Sequence, residues 1–185
     1  MAFTPARIAM IAVAGGAVAA SALPVQAAPT PAPAPAQTTV SPAKKRAQAA
    51  KDRRKAARER ANRARASLVR VALNQKGDRY VGGASGPNAF DCSGFTMWVY
   101  KTATGKSLPH YSGAQMNKAR RVGRKHLKPG DLLFYGRGGS QHVSMYIGKG
   151  KMIHATNPRS GVRVDSINMG YYRARFAGAG RIIEG

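Results

Sequence analysis

The spacing of hydrophobic residues predicts helices first and strands afterwards. Leu68 and Val71 recur at helical spacing, so a helix is predicted at the start of the folded region. A second helix is predicted over 91–104, with Gly105 as its stop, and a shorter third helix over 112–119.

Beyond Pro129 the pattern changes to short apolar runs bounded by glycine and other turn residues. These runs predict five strands, over residues 132–135, 142–147, 151–155, 161–164 and 179–183. Helices followed by strands indicate an α+β domain in which N-terminal helices pack on an antiparallel sheet.

Residues 1–27 have the parts of a secretory signal. Arg7 precedes an apolar stretch from Ile8 to Leu23, and small residues follow up to Ala27. A retained membrane anchor is the alternative, but an anchor needs about 20 strongly apolar residues, and glycine, serine and proline dilute this stretch. Export with cleavage after Ala27 is therefore predicted, which places the protein in the cell wall or a periplasm-like space.

Two segments of simple composition precede the predicted domain. Residues 28–42 are rich in proline and alanine and should form an extended linker. Residues 43–66 are nearly all Ala, Arg and Lys, which favour a helix but provide no apolar stripe. They are predicted to form a basic arm, helical or disordered, with binding to wall polymers as the functional alternative. The folded domain is predicted over 67–185.

The chain is strongly basic, with a formal net charge of +24. Such a surface should associate with polyanions. Outside a bacterium, the polyanions would be the anionic polymers and lipids of the envelope, so no nucleic-acid partner is expected.

Cys92 is the only cysteine, so no intramolecular disulfide is available to an exported chain. A free cysteine is often a small buried hydrophobe. Cys92, however, begins the second predicted helix, where free N–H groups and the helix dipole favour its thiolate over its thiol. Asp91 and Ser93 are suited to cap this helix, and Gly94 lets another backbone approach.

A thiol nucleophile needs a base and a third group that orients the base. His142 opens the second predicted strand, and His154 lies in the next one across the turn 149–150. A two-residue turn would pair Met145 with His154 and leave His142 on the opposite face. A bulge or an odd loop is therefore required for the two imidazoles to meet.

The sequence lacks the motifs that are typical of two other classes of hydrolase. The chain has no His-Glu-x-x-His pattern for a zinc peptidase and no Gly-x-Ser-x-Gly elbow for a serine hydrolase. His110 and His126 lie in turn-like surroundings and are weaker candidates for the base.

Six motifs follow one another in an order that resembles the NlpC-type cell-wall peptidases, over about residues 67–185. These motifs are Arg79–Gly83, Phe90–Phe95, Leu108–Ser112, Leu127–Leu132, His142–Gly148 and Met152–Ala155. The sequence Leu-Pro-His-Tyr-Ser and the Gly-Ser-Gln-His before the second strand are most like the actinobacterial branch.

The resemblance implies a papain-like cysteine peptidase fold. It also implies a D,L-endopeptidase that cleaves the bond between γ-D-glutamate and the diamino acid, usually meso-diaminopimelate, in peptidoglycan stem peptides. Its nucleophile would be Cys92, its base His142 and its orienting residue His154. The residues implied to lie near the substrate are Tyr80, Asp91, Ser93 and Ser112. The resemblance implies no metal and no other cofactor.

Two departures from the family pattern affect these expectations. Val81 occupies a position beside the cleft where tryptophan is usual. His110 occupies a position where many members have arginine, and this difference affects the expected recognition of charge on the stem peptide. Two alternatives to an endopeptidase stay open: a non-catalytic basic protein that binds the wall, and an amidase or acyltransferase on the same scaffold. The protein is expected to be a monomer.

Overall fold

The computed structural model describes residues 41–184. The predicted signal segment and all but the end of the predicted linker lie outside the described residues. Within 41–184, no helix is both long enough and apolar enough to cross a membrane.

The first helix, α1, runs from Pro42 to Leu73 and is much longer than predicted. Its alanine, lysine and arginine residues are good helix formers, and Pro42 occupies its first position, where proline is tolerated. Residues 41–60 are exposed, whereas Ala61 and Leu68 are buried in the core. The predicted boundary between residues 66 and 67 therefore falls inside one helix, which enters the core before the apolar pattern begins.

Helices α2 (Cys92–Thr104) and α3 (Ser112–Lys118) follow the predicted positions closely. Asp91 accepts a hydrogen bond from the Gly94 amide at the start of α2, and Gly105 ends the helix in the left-handed conformation, at φ 71°. Phe95 and Val99 on its inner face are fully buried.

Within residues 41–184, eight strands form two sheets. Strands β1 (Arg79–Tyr80) and β2 (Ala89–Phe90) make a short parallel pair just before α2. The other six strands form one antiparallel sheet in the order β3-β8-β4-β5-β6-β7. These strands are β3 (Arg120–Val122), β4 (Leu132–Tyr135), β5 (His142–Gly148), β6 (Lys151–Ala155), β7 (Val162–Ser166) and β8 (Phe176–Arg181). A short helix, α4 (Gly170–Arg175), precedes β8. The predicted α+β class with an antiparallel sheet is confirmed.

The two faces of the large sheet differ in what covers them. On one face, Leu132, Phe134 and Ile153 join the residues of α1 and α2 in the main apolar core. On the other face, Leu133, Tyr135 and Met152 form a second cluster, which Tyr172 of α4 and Phe176 cover. The second face carries the polar residues described below.

Asp131 lies at the junction between α1 and the sheet and is fully buried. Arg181 donates from Nε and Nη2 to its two carboxylate oxygens, at 2.8 and 2.6 Å, and the Lys128 amide donates at 2.7 Å. Nη1 of Arg65 lies 3.6 Å from the same carboxylate. A buried carboxylate is tolerated when it is paired in this way. This cluster ties α1 to the sheet and accounts for the burial of Arg65.

Candidate active site

Cys92 is the first residue of α2, and its side chain is partly buried. Burial raises the pKa of the Cys92 thiol, and hydrogen bonds from the backbone amides of Val143 and Ser93 oppose this effect without cancelling it. The expectation that the helix end alone would favour the thiolate is therefore wrong for the resting protein. The Val143 bond also places the sulfur beside the residue that follows His142.

The loop between β1 and β2 packs against the start of α2. The Asp91 amide donates to the Ala84 carbonyl oxygen at 2.8 Å, and a Cβ at position 94 would lie only 2.2 Å from that oxygen. Glycine is thus required at position 94. The pairing of β1 with β2 sets Tyr80 beside Phe90, and Cys92 and Asp91 lie close enough to raise the pKa of Tyr80 in addition to the effect of burial.

A bulge near the β5–β6 turn brings His142 and His154 to the same face. Gly148 pairs with Lys151, but the register then shifts, so that Tyr146 pairs with Met152 and Met145 with Ile153. The extra residue reverses the parity that a regular two-residue turn would impose. The predicted irregularity is confirmed.

The two imidazoles form a hydrogen-bonded chain with an aspartate. Nε2 of His142 lies 2.7 Å from Nδ1 of His154, and Nε2 of His154 lies 3.1 Å from Oδ2 of Asp165. The carboxylate of Asp165 accepts, so a neutral His154 carries its proton on Nε2 and accepts on Nδ1. Nε2 of His142 must then be the donor, which leaves Nδ1 of His142 unprotonated. This is the tautomer that a general base needs.

The surroundings keep both imidazoles neutral. Burial lowers the pKa of His142, and the neighbouring His154 lowers it further. Burial also lowers the pKa of His154, and the Asp165 carboxylate only partly opposes this shift. The ring of Tyr172 lies 5.0 Å from that of His154 and 5.9 Å from that of His142, which shields their hydrogen bond from water.

The Asp91 side chain has four donors from the protein itself. Oδ1 accepts from the Ser93 hydroxyl and the Gly94 amide, and Oδ2 accepts from the Gly83 amide and bonds Nε2 of His110 at 2.9 Å. Burial would raise the pKa of Asp91, but the hydrogen bonds from Gly94 and His110 outweigh burial, and the pKa is lowered. Asp91 thus fixes the segments around Cys92 as well as the helix start.

The remaining candidate residues are less closely connected. Ser112 is buried at the start of α3, and within residues 41–184 no hydrogen bond joins its side chain to Cys92, His142 or His154. His126 lies in a separate exposed turn, and Val81 is 44% exposed.

Sequence analysis did not identify Asp165, Tyr172 or Gln115. Gln115 is fully buried and donates to the carbonyl oxygens of Ser93 and Pro109, so it fixes the start of α2 against the segment before α3. Gln115 lies within the predicted third helix and Asp165 directly follows the predicted strand over 161–164, and neither position distinguishes a buried polar residue from an exposed one.

A cavity of about 440 Å³ lies beside the histidine pair and is lined by His142, Asp165 and Tyr172, among others. A larger and mainly apolar cavity of about 660 Å³ lies between α1 and Pro129, but its lining contains no histidine or cysteine. Among residues 41–184, no group of three or more His, Cys, Asp or Glu side chains is arranged to hold a metal ion.

Comparison with known proteins defines the class of this chain. The model of the NlpC/P60 family matches residues 77–181. The probable endopeptidase p60 of Listeria innocua is 40% identical over 117 residues, which are 63% of this chain and 24% of that protein. The gamma-D-glutamyl-L-lysine dipeptidyl-peptidase of Bacillus cereus is 38% identical over 108 residues, 56% of this chain and 32% of that protein. The chain thus spans about a quarter to a third of the length of these relatives.

A solved structure agrees with these matches. The peptidoglycan hydrolase RipB of Mycobacterium tuberculosis superimposes with a TM-score of 0.61 at 31% identity, over 69% of either chain. The fold is therefore the papain-like α+β fold. The chain belongs to the NlpC/P60 family.

Proposed function

We propose that this protein is an exported cysteine peptidase that hydrolyses peptidoglycan stem peptides between γ-D-glutamate and the diamino acid. The observation that carries the proposal is the chain from Asp165 through His154 to His142, which leaves Nδ1 of His142 free to accept a proton. The relatives support the substrate class, since they are a probable endopeptidase, a gamma-D-glutamyl-L-lysine dipeptidyl-peptidase and a peptidoglycan hydrolase.

Catalysis proceeds by acyl transfer. His142 takes the thiol proton as the Cys92 sulfur bonds to the γ-carbonyl carbon of glutamate, and then gives that proton to the diamino acid nitrogen as the carbon–nitrogen bond breaks. Water then attacks the carbonyl carbon of the thioester and gives a proton to His142. The carbon–sulfur bond breaks, the γ-carboxyl group of glutamate is released, and His142 returns the proton to the sulfur. Because the pKa of the thiol is raised and that of His142 is lowered, the resting pair is neutral.

The segments around Cys92 hold the acyl half of the substrate. The Cys92 amide at the helix start stabilises the oxyanion, an effect worth about 3 to 4 kcal/mol for one donor in well-studied hydrolases. Tyr80, Asp91 and Ser93 border this side, with Ser112 deeper in the fold. Since Asp91 already has four donors, it orients Ser93 and the helix start rather than binding substrate alone.

Mass spectrometry of muropeptides released from purified wall tests this proposal. The protein should produce fragments with a new diamino acid amine, and Cys92→Ala should produce none. His142→Gln should also abolish cleavage, while His126→Gln, in an exposed turn outside the site, should retain it. Cleavage at another bond would indicate the amidase, and products joined to an added amine would indicate the acyltransferase. Full activity of Cys92→Ala would refute the proposal.

The exposed part of α1 supports a second function, binding to anionic polymers of the cell envelope. Residues 41–60 are all exposed and carry nine Lys and Arg against two Asp and Glu. Because the charges on this surface are exposed and salt screens them, binding should weaken as the salt concentration rises. The same surface is what a non-catalytic wall-binding protein would use, so wall binding and cleavage must be measured separately.

Sedimentation with wall sacculi measures this binding. A variant of α1 in which glutamine replaces Arg53, Arg54 and Lys55 should bind less wall at low salt. It should still cleave soluble muropeptides. The matched control removes the same charge from exposed residues of the domain, at Arg121, Lys125 and Arg137. Equal loss of binding in both variants would show that only total charge matters.

A further inference from the structure

The cavity beside the histidine pair has features of a peptide-binding site. Cys92 does not line it, whereas His142 does. At its rim, Met169 and Tyr171 are 42% and 58% exposed, although both are large and apolar. The positively charged residue in the cavity lining is Arg163 on β7. The only carboxylate in the lining belongs to Asp165, which already accepts hydrogen bonds from His154 and Arg163. The cavity thus combines apolar surface with an available positive charge.

The mechanism determines which half of the substrate reaches this cavity, and this step rests on the proposed function. The leaving amine takes its proton from His142. The half of the substrate attached to that amine must therefore extend away from Cys92 and past His142. The cavity begins at this point.

Arg163 retains hydrogen-bonding capacity in the resting protein. Its Nε and Nη2 both donate to Oδ1 of Asp165, at 3.0 and 2.6 Å. A guanidinium has five N–H groups, so three remain, and within residues 41–184 they have no other acceptor. The Arg163 side chain is 45% exposed, which makes these groups accessible to a ligand. A carboxylate is the ligand that matches a planar guanidinium.

We propose that Arg163 binds a carboxylate on the leaving half of the substrate in this cavity. Two carboxylates have this chemistry: the one on the side chain of meso-diaminopimelate, and the one at the C-terminus of the stem peptide. Met169 and Tyr171 pack against the aliphatic part of the same residue.

Three synthetic stem peptides of equal length distinguish the two carboxylates. One contains meso-diaminopimelate, the second has its side-chain carboxylate amidated, and the third contains lysine. With Arg163→Gln, kcat/KM for the first peptide should fall by about tenfold, mainly through KM, and values for the other two should change less than twofold. If the C-terminal carboxylate is the ligand, the loss should instead appear with all three peptides and disappear when that terminus is amidated. Arg159→Gln removes an equal charge from an exposed loop outside the lining and should leave all values unchanged.

A binding measurement keeps this inference separate from the proposed activity. Calorimetry with Cys92→Ala and the free dipeptide meso-diaminopimelyl-D-alanine should give a measurable Kd. Adding Arg163→Gln to Cys92→Ala should weaken binding about tenfold. If the wild-type chain cleaves no peptide but this binding difference is found, the proposed function fails, while binding of the dipeptide carboxylate by Arg163 is still established.

Two results would overturn the inference. One is an equal loss of kcat with every peptide, including those with both carboxylates amidated, because Arg163 would then act only through Asp165. The other is unchanged dipeptide binding in the Arg163→Gln background. Neither result would count against the proposed endopeptidase activity.

Discussion

Two buried aspartates, Asp131 and Asp165, each accept hydrogen bonds from an arginine, but only Asp165 also bonds an imidazole. The partner of Asp131, Arg181, has a side chain only 9% exposed, whereas Arg163 beside Asp165 is 45% exposed. Asp131 thus belongs to a closed cluster of permanent charges that joins α1 to the sheet. Asp165 belongs to a chain that ends at a titratable base beside a cavity. The same residue type therefore stabilises the fold in one place and orients the candidate base in the other.

The largest effect is expected from Asp165→Asn. Arg163 donates to Oδ1, so the amide oxygen should occupy that position and the amide nitrogen should face His154. His154 would then accept on Nε2 and donate from Nδ1, which places the His142 proton on Nδ1, where it blocks the base. We expect kcat for muropeptide hydrolysis to fall by a factor of about 10² to 10⁴. Losses of this size follow in other enzymes when the residue that orients a functional histidine is replaced or when the histidine tautomer is reversed.

Asp165→Ala is the matched control for the tautomer. It removes the acceptor without supplying a donor, so it should reduce kcat less than Asp165→Asn. The ¹⁵N chemical shifts of His142 should show the Nε2–H form in the wild-type chain and the Nδ1–H form in Asp165→Asn. A larger loss with alanine than with asparagine would contradict this account of Asp165.

Asp131→Asn should affect stability instead of chemistry. It leaves Arg181 and Arg65 buried without their counter-charge, and breaking such a buried pair costs about 3 to 5 kcal/mol. Urea unfolding should show this loss as a lower midpoint, while the folded fraction cleaves at the wild-type rate. Arg120→Gln, which breaks an exposed pair with Glu184, should leave the midpoint almost unchanged. A low rate in fully folded Asp131→Asn would remove the distinction between the two aspartates.

A smaller effect is expected from pH. Burial lowers the pKa of His142 and of His154, so the folded state resists protons that the unfolded chain takes up near pH 6.5. Stability should therefore fall as the pH drops below 6.5, by about 1.4 kcal/mol for each histidine at pH 5.5. Urea unfolding at pH 7.5 and 5.5 measures this difference.

Histidine substitutions test the origin of the pH effect. His154→Gln should reduce the difference between pH 7.5 and 5.5, and His126→Gln, in an exposed turn, should not. A difference of the same size in both variants would show that other groups cause it.

Much of the fold was predictable because its elements have strong local patterns. Helix α2 has apolar residues at helical spacing between Asp91 and Gly105, and strand β4 is apolar throughout; both lie where predicted. Strand β8 was predicted over 179–183 but spans Phe176–Arg181, because Ala177 and Gly178 give little strand signal. Helix α4 and strands β1, β2 and β3 were not predicted, since two to six residues are too few for a periodic pattern.

The candidate site was predictable by residue type but not by contact. Cys92 and the two histidines could be selected from the chain, and the parity of the hairpin showed that a bulge was needed. Asp165 could not be selected, because its bond to His154 depends on the register of β6 with β7, in which His154 pairs with Arg163. The packing of Leu68 and Val71 was predicted, but the docking of α1 before residue 67 was missed, because Arg65 is stabilised by a residue 66 positions away.

The shift between Tyr146 and Gly148 restricts how this hairpin can change in length. His142 and His154 are twelve positions apart, and the one unpaired residue at the shift places their imidazoles on the same side of the sheet. A hairpin that lacks this unpaired residue and keeps the two-residue turn would also keep them on one side, whereas a hairpin that loses a paired residue and keeps the shift would send them to opposite sides. Hairpins exchanged between relatives should therefore function when an odd change in length is matched by the gain or loss of one bulge, even where their sequences have diverged.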